Sequence, residues 1–132
     1  MNRELLHDDD RINIPADLFG VYFSCRVEPT IYVTADRLSG DYRGGYWHMY
    51  RLENGGFYMA PDGSQFRVIC MNGYQGGLSG DAFGIVACLY AYSEVSFTGV
   101  PGLVEACAAQ YHCLRAYLFE HPEAEGILKA ID

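Results

Sequence analysis

Imidazole, thiol and carboxylate are the side chains of this chain that could do acid–base, nucleophilic or metal chemistry. There are four histidines (His7, His48, His112, His121) and five cysteines (Cys25, Cys70, Cys88, Cys107, Cys113). Zinc sites need ligands at spacings such as HxxxH, HExxH or paired CxxC, and the sequence contains none of these. His112 and Cys113 are neighbours, and adjacent residues on a helix point about 100° apart, too far to share one ion. A nucleophile must sit beside a base and an orienting group. Cys25 can be set against His48 or His112, but only Arg26 stands near it to favour a thiolate. Asp36 and Asp41 flank Gly40 as an ordinary solvated turn. The pairs Gly44-Gly45, Gly55-Gly56 and Gly76-Gly77 form neither GxGxxG nor GxxxxGK[ST], so they read as turn residues rather than a phosphate cradle. The expectation is a protein with no catalytic residue, no metal and no cofactor.

The aromatic residues are more informative. Eleven tyrosines, seven phenylalanines and one tryptophan make up 14% of the chain. Tyr42, Tyr46, Trp47, Tyr50, Phe57 and Tyr58 crowd one stretch. Alternation along strands turns about half of such residues away from the core. Exposed Tyr and Trp suit protein recognition, because they offer large contact area with few torsions to freeze.

The elements that must carry these residues follow from the hydrophobic pattern. Residues 16–38 show three- and four-residue spacings that predict short helices, with Pro15 and Pro29 near their starts. The aromatic runs 46–52 and 57–60 are joined by Glu53-Asn54-Gly55-Gly56, a hairpin signal. Pro61-Asp62-Gly63-Ser64 then leads into 65–71, which predicts a three-stranded antiparallel meander. Ser79 is the expected N-cap of an apolar helix over 82–97, with Asp81 facing the positive end of the dipole. Pro101 opens a helix with Leu103, Cys107, Tyr111, Leu114 and Leu118 on one stripe, and Pro122 opens a short terminal one. The predicted class is α+β: a small antiparallel three-stranded meander packed against several helices.

Length and charge bound the rest. The 132 residues suffice for one core, with 50% hydrophobic and 20% charged residues. An acidic, flexible leader over residues 1–14 and a single domain over 15–132 are expected. The net charge is −8, shared equally between the two halves of the chain, and the cations are eight scattered arginines plus Lys129. No basic stripe exists to neutralise phosphates, so direct DNA binding is not expected. An acidic DNA mimic would need a charge for about every 1.7 Å of duplex axis, well above what this chain carries. An odd cysteine number without CxxC fits free thiols in a reducing cytoplasm. The longest apolar stretch, 82–91, is too short for a bilayer, and no membrane partner is expected.

Several blocks resemble one known family. Asp41-Tyr42-Arg43-Gly44-Gly45-Tyr46-Trp47 and Leu52-Glu53-Asn54-Gly55-Gly56-Phe57-Tyr58-Met59-Ala60-Pro61 resemble the central signature of the ArdB/KlcA antirestriction proteins. Gly76-Gly77-Leu78-Ser79-Gly80-Asp81-Ala82-Phe83-Gly84-Ile85, then Tyr111-His112-Cys113-Leu114-Arg115, His121-Pro122-Glu123 and Ala130-Ile131-Asp132 follow in the same order, so that the likeness spans residues 15–132. Gly80 stands where a helix-favouring residue such as Ala is expected. The resemblance implies a compact α+β protein of plasmids or other mobile elements that protects incoming DNA from type I restriction enzymes. It implies non-enzymatic contacts, direct or indirect, with the type I restriction-modification enzyme or a host factor controlling it. Candidate interaction residues are Asp41, Tyr42, Tyr46, Trp47, Asp81 and Asp132, and the aromatic surface is also a candidate homodimer interface. The alternatives are a small cytosolic Cys/His enzyme and a weak acidic DNA mimic.

Overall fold

The hairpin signal at 53–56 is realised as the centre of a sheet. In a computed structural model describing residues 1–132, β2 (Trp47–Leu52) and β3 (Phe57–Pro61) pair antiparallel, with Tyr50 opposite Tyr58. The third strand is not the following segment. It is β1 (Arg3–Leu5), which pairs antiparallel with the far edge of β2, Arg3 opposite Leu52. Residues assigned from sequence to a leader therefore supply a strand and begin helix α1 (Asp10–Phe19).

The segment expected as the third meander strand forms β4 (Phe66–Ile69) and pairs instead with β5 (Gln75–Leu78). The reason lies at the free edge of β3, which helix α3 (Gly80–Ser96) occupies. Tyr92 Oη donates to the Phe57 carbonyl at 2.6 Å, and Cys88 Sγ lies 3.5 Å from both the N and the O of Met59. The Gly80 N–H donates to the Gly63 carbonyl at 3.0 Å. Edge groups that a further strand would have paired are thus satisfied by a helix. Gly76-Gly77, read from sequence as a turn, lies within β5.

Two glycines permit this approach. A Cβ on Gly84 would come within 2.4 Å of Ala60 Cβ and 2.5 Å of the Met59 carbonyl oxygen, and one on Gly80 within 2.4 Å of the Pro61 carbonyl oxygen. Gly80, unexpected by helix propensity, is required by packing. Ser79 caps α3 as its sequence predicts, accepting from the Ala82 N–H at 3.1 Å. Buried residues surround α3 on every side, so it is the axis of the fold.

The predicted helices at 16–38 are present, with one shift. Pro29 lies in the first turn of α2 (Glu28–Leu38), but α1 starts early enough to place Pro15 in its interior, at the loss of one hydrogen bond. Between them Phe23–Val27 form a π-helical turn. The β-branched run Thr30–Thr34 is helical because Ile31, Thr34, Ala35 and Leu38 bury one stripe. Helix α4 (Leu103–Leu118) buries Leu103, Cys107, Leu114 and Leu118, and α5 (Ala124–Ile131) closes the chain. All 35 buried apolar residues join in one cluster, so there is one core and an α+β architecture. No helix is long and apolar enough to cross a membrane.

Candidate functional site

Alternation along β2 sends Trp47 and Met49 into the core and leaves His48 and Tyr50 on the opposite face. Cross-strand pairing then stacks Tyr50 on Tyr58, with ring centroids 5.0 Å apart, and Tyr58 in turn stacks on Tyr117 of α4 at 5.9 Å. In the other direction His48 lies 6.5 Å from Tyr50 and meets Tyr46 edge-on at 5.2 Å. The result is one aromatic ladder along the sheet face. Guanidinium groups cover two of its rings: Arg3 lies 4.1 Å above Tyr50 and Arg11 lies 4.6 Å above Tyr46. His48 also pairs with the exposed Asp62.

The ladder adjoins a charged network at the N-terminus of α3. Asp81 Oδ1 accepts from Arg3 Nη1 at 2.7 Å and from Tyr58 Oη at 2.9 Å, while Arg3 Nη1 also contacts Tyr58 Oη. Asp81 Oδ2 lies 2.8 Å from His121 Nε2. The Glu123 N–H donates to His121 Nδ1 at 3.0 Å, which sets the tautomer with the proton on Nε2, facing the carboxylate. One residue pair away, Glu123 accepts from the Ser79 N–H at 2.9 Å and from the Ser79 hydroxyl. Two clamps thus tie the turn before α5 to the first turn of α3.

Electrostatics follows from this geometry. Burial alone would raise the Asp81 pKa, but donors on His121, Tyr58 and Arg3 outweigh it and hold the carboxyl below its ordinary value. Burial, followed by the charge on Asp81, pushes the Tyr58 hydroxyl above the usual tyrosine range, so it remains a donor. Both carboxylate oxygens of Asp81 and both ring nitrogens of His121 are engaged within the chain. The arrangement orients and rigidifies. Elsewhere, Cys25 is exposed on the π-turn, and no three His, Cys, Asp or Glu side chains meet in metal-ligand geometry.

The six residues singled out from sequence divide into three kinds. Trp47 is only 2% exposed, and its indole N–H donates to Tyr42 Oη at 3.0 Å, while Tyr42 also packs on Phe83. These two anchor the core beneath the ladder. Tyr46, 55% exposed, and Asp81 belong to the ladder and its network. Asp41 and Asp132 answer to other neighbours: Asp41 Oδ2 accepts from the Arg67 N–H at 2.9 Å, and Asp132 lies 3.7 Å from Arg115. Sequence reasoning missed Arg3, Arg11 and His121. The first two stood in the presumed leader, and His121 served as a helix-ending residue 40 positions from its carboxylate partner.

Comparison with known proteins places this geometry in a family. Residues 40–132 match the family model described as antirestriction protein. Two Escherichia coli antirestriction proteins KlcA are similar along their length. One is 39% identical over 132 residues, covering 97% of this chain and 92% of its own, and the other is 41% identical over 129 residues, covering 93% and 88%. A solved structure from a study of KlcA and ArdB superposes with a TM-score of 0.90 at 37% identity, covering 99% of this chain and 94% of that one. The chain belongs to the antirestriction protein family.

Proposed function

We propose that this protein protects incoming DNA from type I restriction enzymes inside the cell by presenting a folded surface to another protein, transforming no substrate of its own. The observation that carries this reading is the full-length likeness to the KlcA and ArdB structures, whose proteins have antirestriction activity against type I DNA restriction systems in vivo but not in vitro. An activity seen only in cells calls for a component that a purified reaction lacks, which favours a host factor over direct competition with DNA. The charge distribution supports the same reading. A net −8 interleaved with nine cations is too dilute for a duplex mimic. The Asp81–His121 pair, with both ring nitrogens of His121 and both oxygens of Asp81 bonded within the chain, supports a recognition role over proton transfer. The protein would act in the cytoplasm, carried by a plasmid or other mobile element, with the ladder around Tyr46, His48 and Tyr50 as the contact face.

Plating unmodified phage on a type I restricting strain tests this. Expression is expected to raise plating towards that on a restriction-deficient strain, and unchanged plating overturns the reading. A chain with Cys25 and His112, both outside the ladder, replaced by Ala is expected to keep full protection. Complete loss, with the fold intact, would favour a Cys/His enzyme.

A further inference from the structure

Two exposed asparagines, Asn54 and Asn72, each precede a glycine at the tip of a hairpin, β2–β3 and β4–β5 respectively. The two turns are built alike. The Gly55 N–H donates to the Leu52 carbonyl at 3.0 Å, and the Gly73 N–H donates to the Cys70 carbonyl at 3.1 Å. Both glycines are left-handed, with φ of 88° and 94°, as three-residue hairpin loops require. Each asparagine Oδ1 accepts from the N–H two residues on, that of Gly56 at 2.9 Å and that of Tyr74 at 3.0 Å. Those bonds polarise the side-chain carbonyl and make its carbon a better electrophile. The nearest nucleophile is the intervening glycine nitrogen, and attack there is least hindered because glycine carries no Cβ.

The two turns differ in what holds them. Asn54 sits on the central hairpin, whose β3 is buried at every residue. Its Nδ2 donates to the Cys113 carbonyl at 2.8 Å, and Gln110 Nε2 donates to the Gly55 carbonyl at 3.1 Å, so the turn is fastened twice to α4. Asn72 sits on a two-stranded ribbon whose β4 is exposed at alternate residues, and Met71 beside it is 92% exposed. A two-stranded ribbon has little stability of its own, and segments with few buried contacts open at lower free energy than the core. The Gly73 nitrogen is therefore freed from its carbonyl more often than the Gly55 nitrogen.

The Asn72 amide also fastens α5. Its Nδ2 donates to the carbonyls of Lys129 at 3.0 Å and Ala130 at 3.2 Å, which lie in the last turn of α5 and have no helical partner. A carboxylate in its place would remove that donor and set a negative charge against two carbonyl oxygens at the negative end of the helix dipole. We infer that Asn72 is a site of spontaneous deamidation, and that the conversion releases the end of α5 from the β4–β5 hairpin. The Gly73 main-chain nitrogen loses its proton to hydroxide and attacks Asn72 Cγ. A new N–C bond closes a succinimide ring, the Cγ–Nδ2 bond breaks, and the amide nitrogen takes a proton and leaves as ammonia. Water then opens the ring at either carbonyl to give aspartate or isoaspartate.

The test is to hold the folded full-length chain in warm, mildly alkaline buffer and follow both asparagines by peptide mass mapping, with isoaspartate read by enzymatic methylation. Conversion at Asn72 is expected to run several-fold faster than at Asn54, whereas in the urea-unfolded chain the two Asn–Gly pairs are expected to convert at similar rates. Conversion at Asn54 as fast as at Asn72, or an Asn72 that stays intact while the unfolded chain converts, overturns the site. The consequence is tested separately with Asn72→Asp and the uncharged Asn72→Ser. Asn72→Asp is expected to melt several degrees below wild type and to exchange the amide hydrogens of α5 faster, with a smaller change in Asn72→Ser. Unchanged exchange in α5, or equal effects of the two substitutions, overturns the release of α5 by the new charge.

Discussion

Asp81 is the residue on which most of the polar organisation converges. It accepts from three side chains contributed by β1, β3 and the turn before α5. Hydrogen bonds to a charged group contribute more than neutral ones, so Asp81→Asn is expected to cost about 2 kcal/mol, measured by urea unfolding near neutral pH. The pH dependence has a definite sign. The folded carboxyl titrates below its ordinary value of 3.8, so in that range the unfolded chain binds more protons and stability rises with pH. The contribution is full well above pH 3.8 and lost as the pH falls through the lower folded value. The stability gap between wild type and Asp81→Asn is therefore expected to narrow under acid. A gap independent of pH down to pH 2 would mean that the carboxylate charge is not what the network uses.

Helix α3 lies against the edge of β3 because two glycines at i and i+4 remove the side chains that would hold it away. Gly84→Ala tests which effect wins. Helix propensity favours the alanine by about 1 kcal/mol. Against this, its methyl would sit 2.5 Å from a main-chain oxygen that cannot move without breaking the sheet, and overpacking of that kind costs about 1–3 kcal/mol or more. A net loss of about 1–2 kcal/mol is expected. Gly126→Ala in α5 is the comparison. There the new methyl meets the ends of two side chains, Leu78 at 3.0 Å and the Tyr74 hydroxyl at 3.5 Å, which can give way, so stability is expected to be unchanged or to rise by up to about 1 kcal/mol from helix propensity. Equal effects of the two substitutions in thermal unfolding would contradict the close-approach account.

At the level of the molecule, the two sides of the β2–β3 hairpin are covered by different means: α3 covers β3, and β1 pairs with β2. β1 spans three residues, and the chain after it adds buried Leu6, whose N–H donates to the Met49 carbonyl at 2.8 Å. Removing residues 1–6 opens the β2 edge and takes Arg3 from both Asp81 and Tyr50. The shortened chain is expected to melt several degrees lower and to self-associate with concentration, as read by light scattering, because an open strand edge is a template for pairing. An unchanged melting temperature and a monomer would show that β1 is dispensable.

What was legible in the sequence is what depends on neighbours along the chain. Ser79 caps α3, Gly55 turns the β2–β3 hairpin, and the apolar stripe of α4 faces inward, each for reasons contained within a few residues. The α+β class followed from those pieces, as did the crowding of aromatic rings around β2. Long-range choices were not legible, because alternation and turn chemistry say which segments are strands but not which edges meet. Nothing near Arg3 announces β2, and nothing near His121 announces Asp81. Gly80 is anomalous by helix propensity alone, and the Pro61 carbonyl oxygen, 2.4 Å from where a Cβ would lie, is what requires it. Edge pairing and the charged network are settled by how the core closes around α3, since only packing brings groups 23 to 78 residues apart within hydrogen-bond reach.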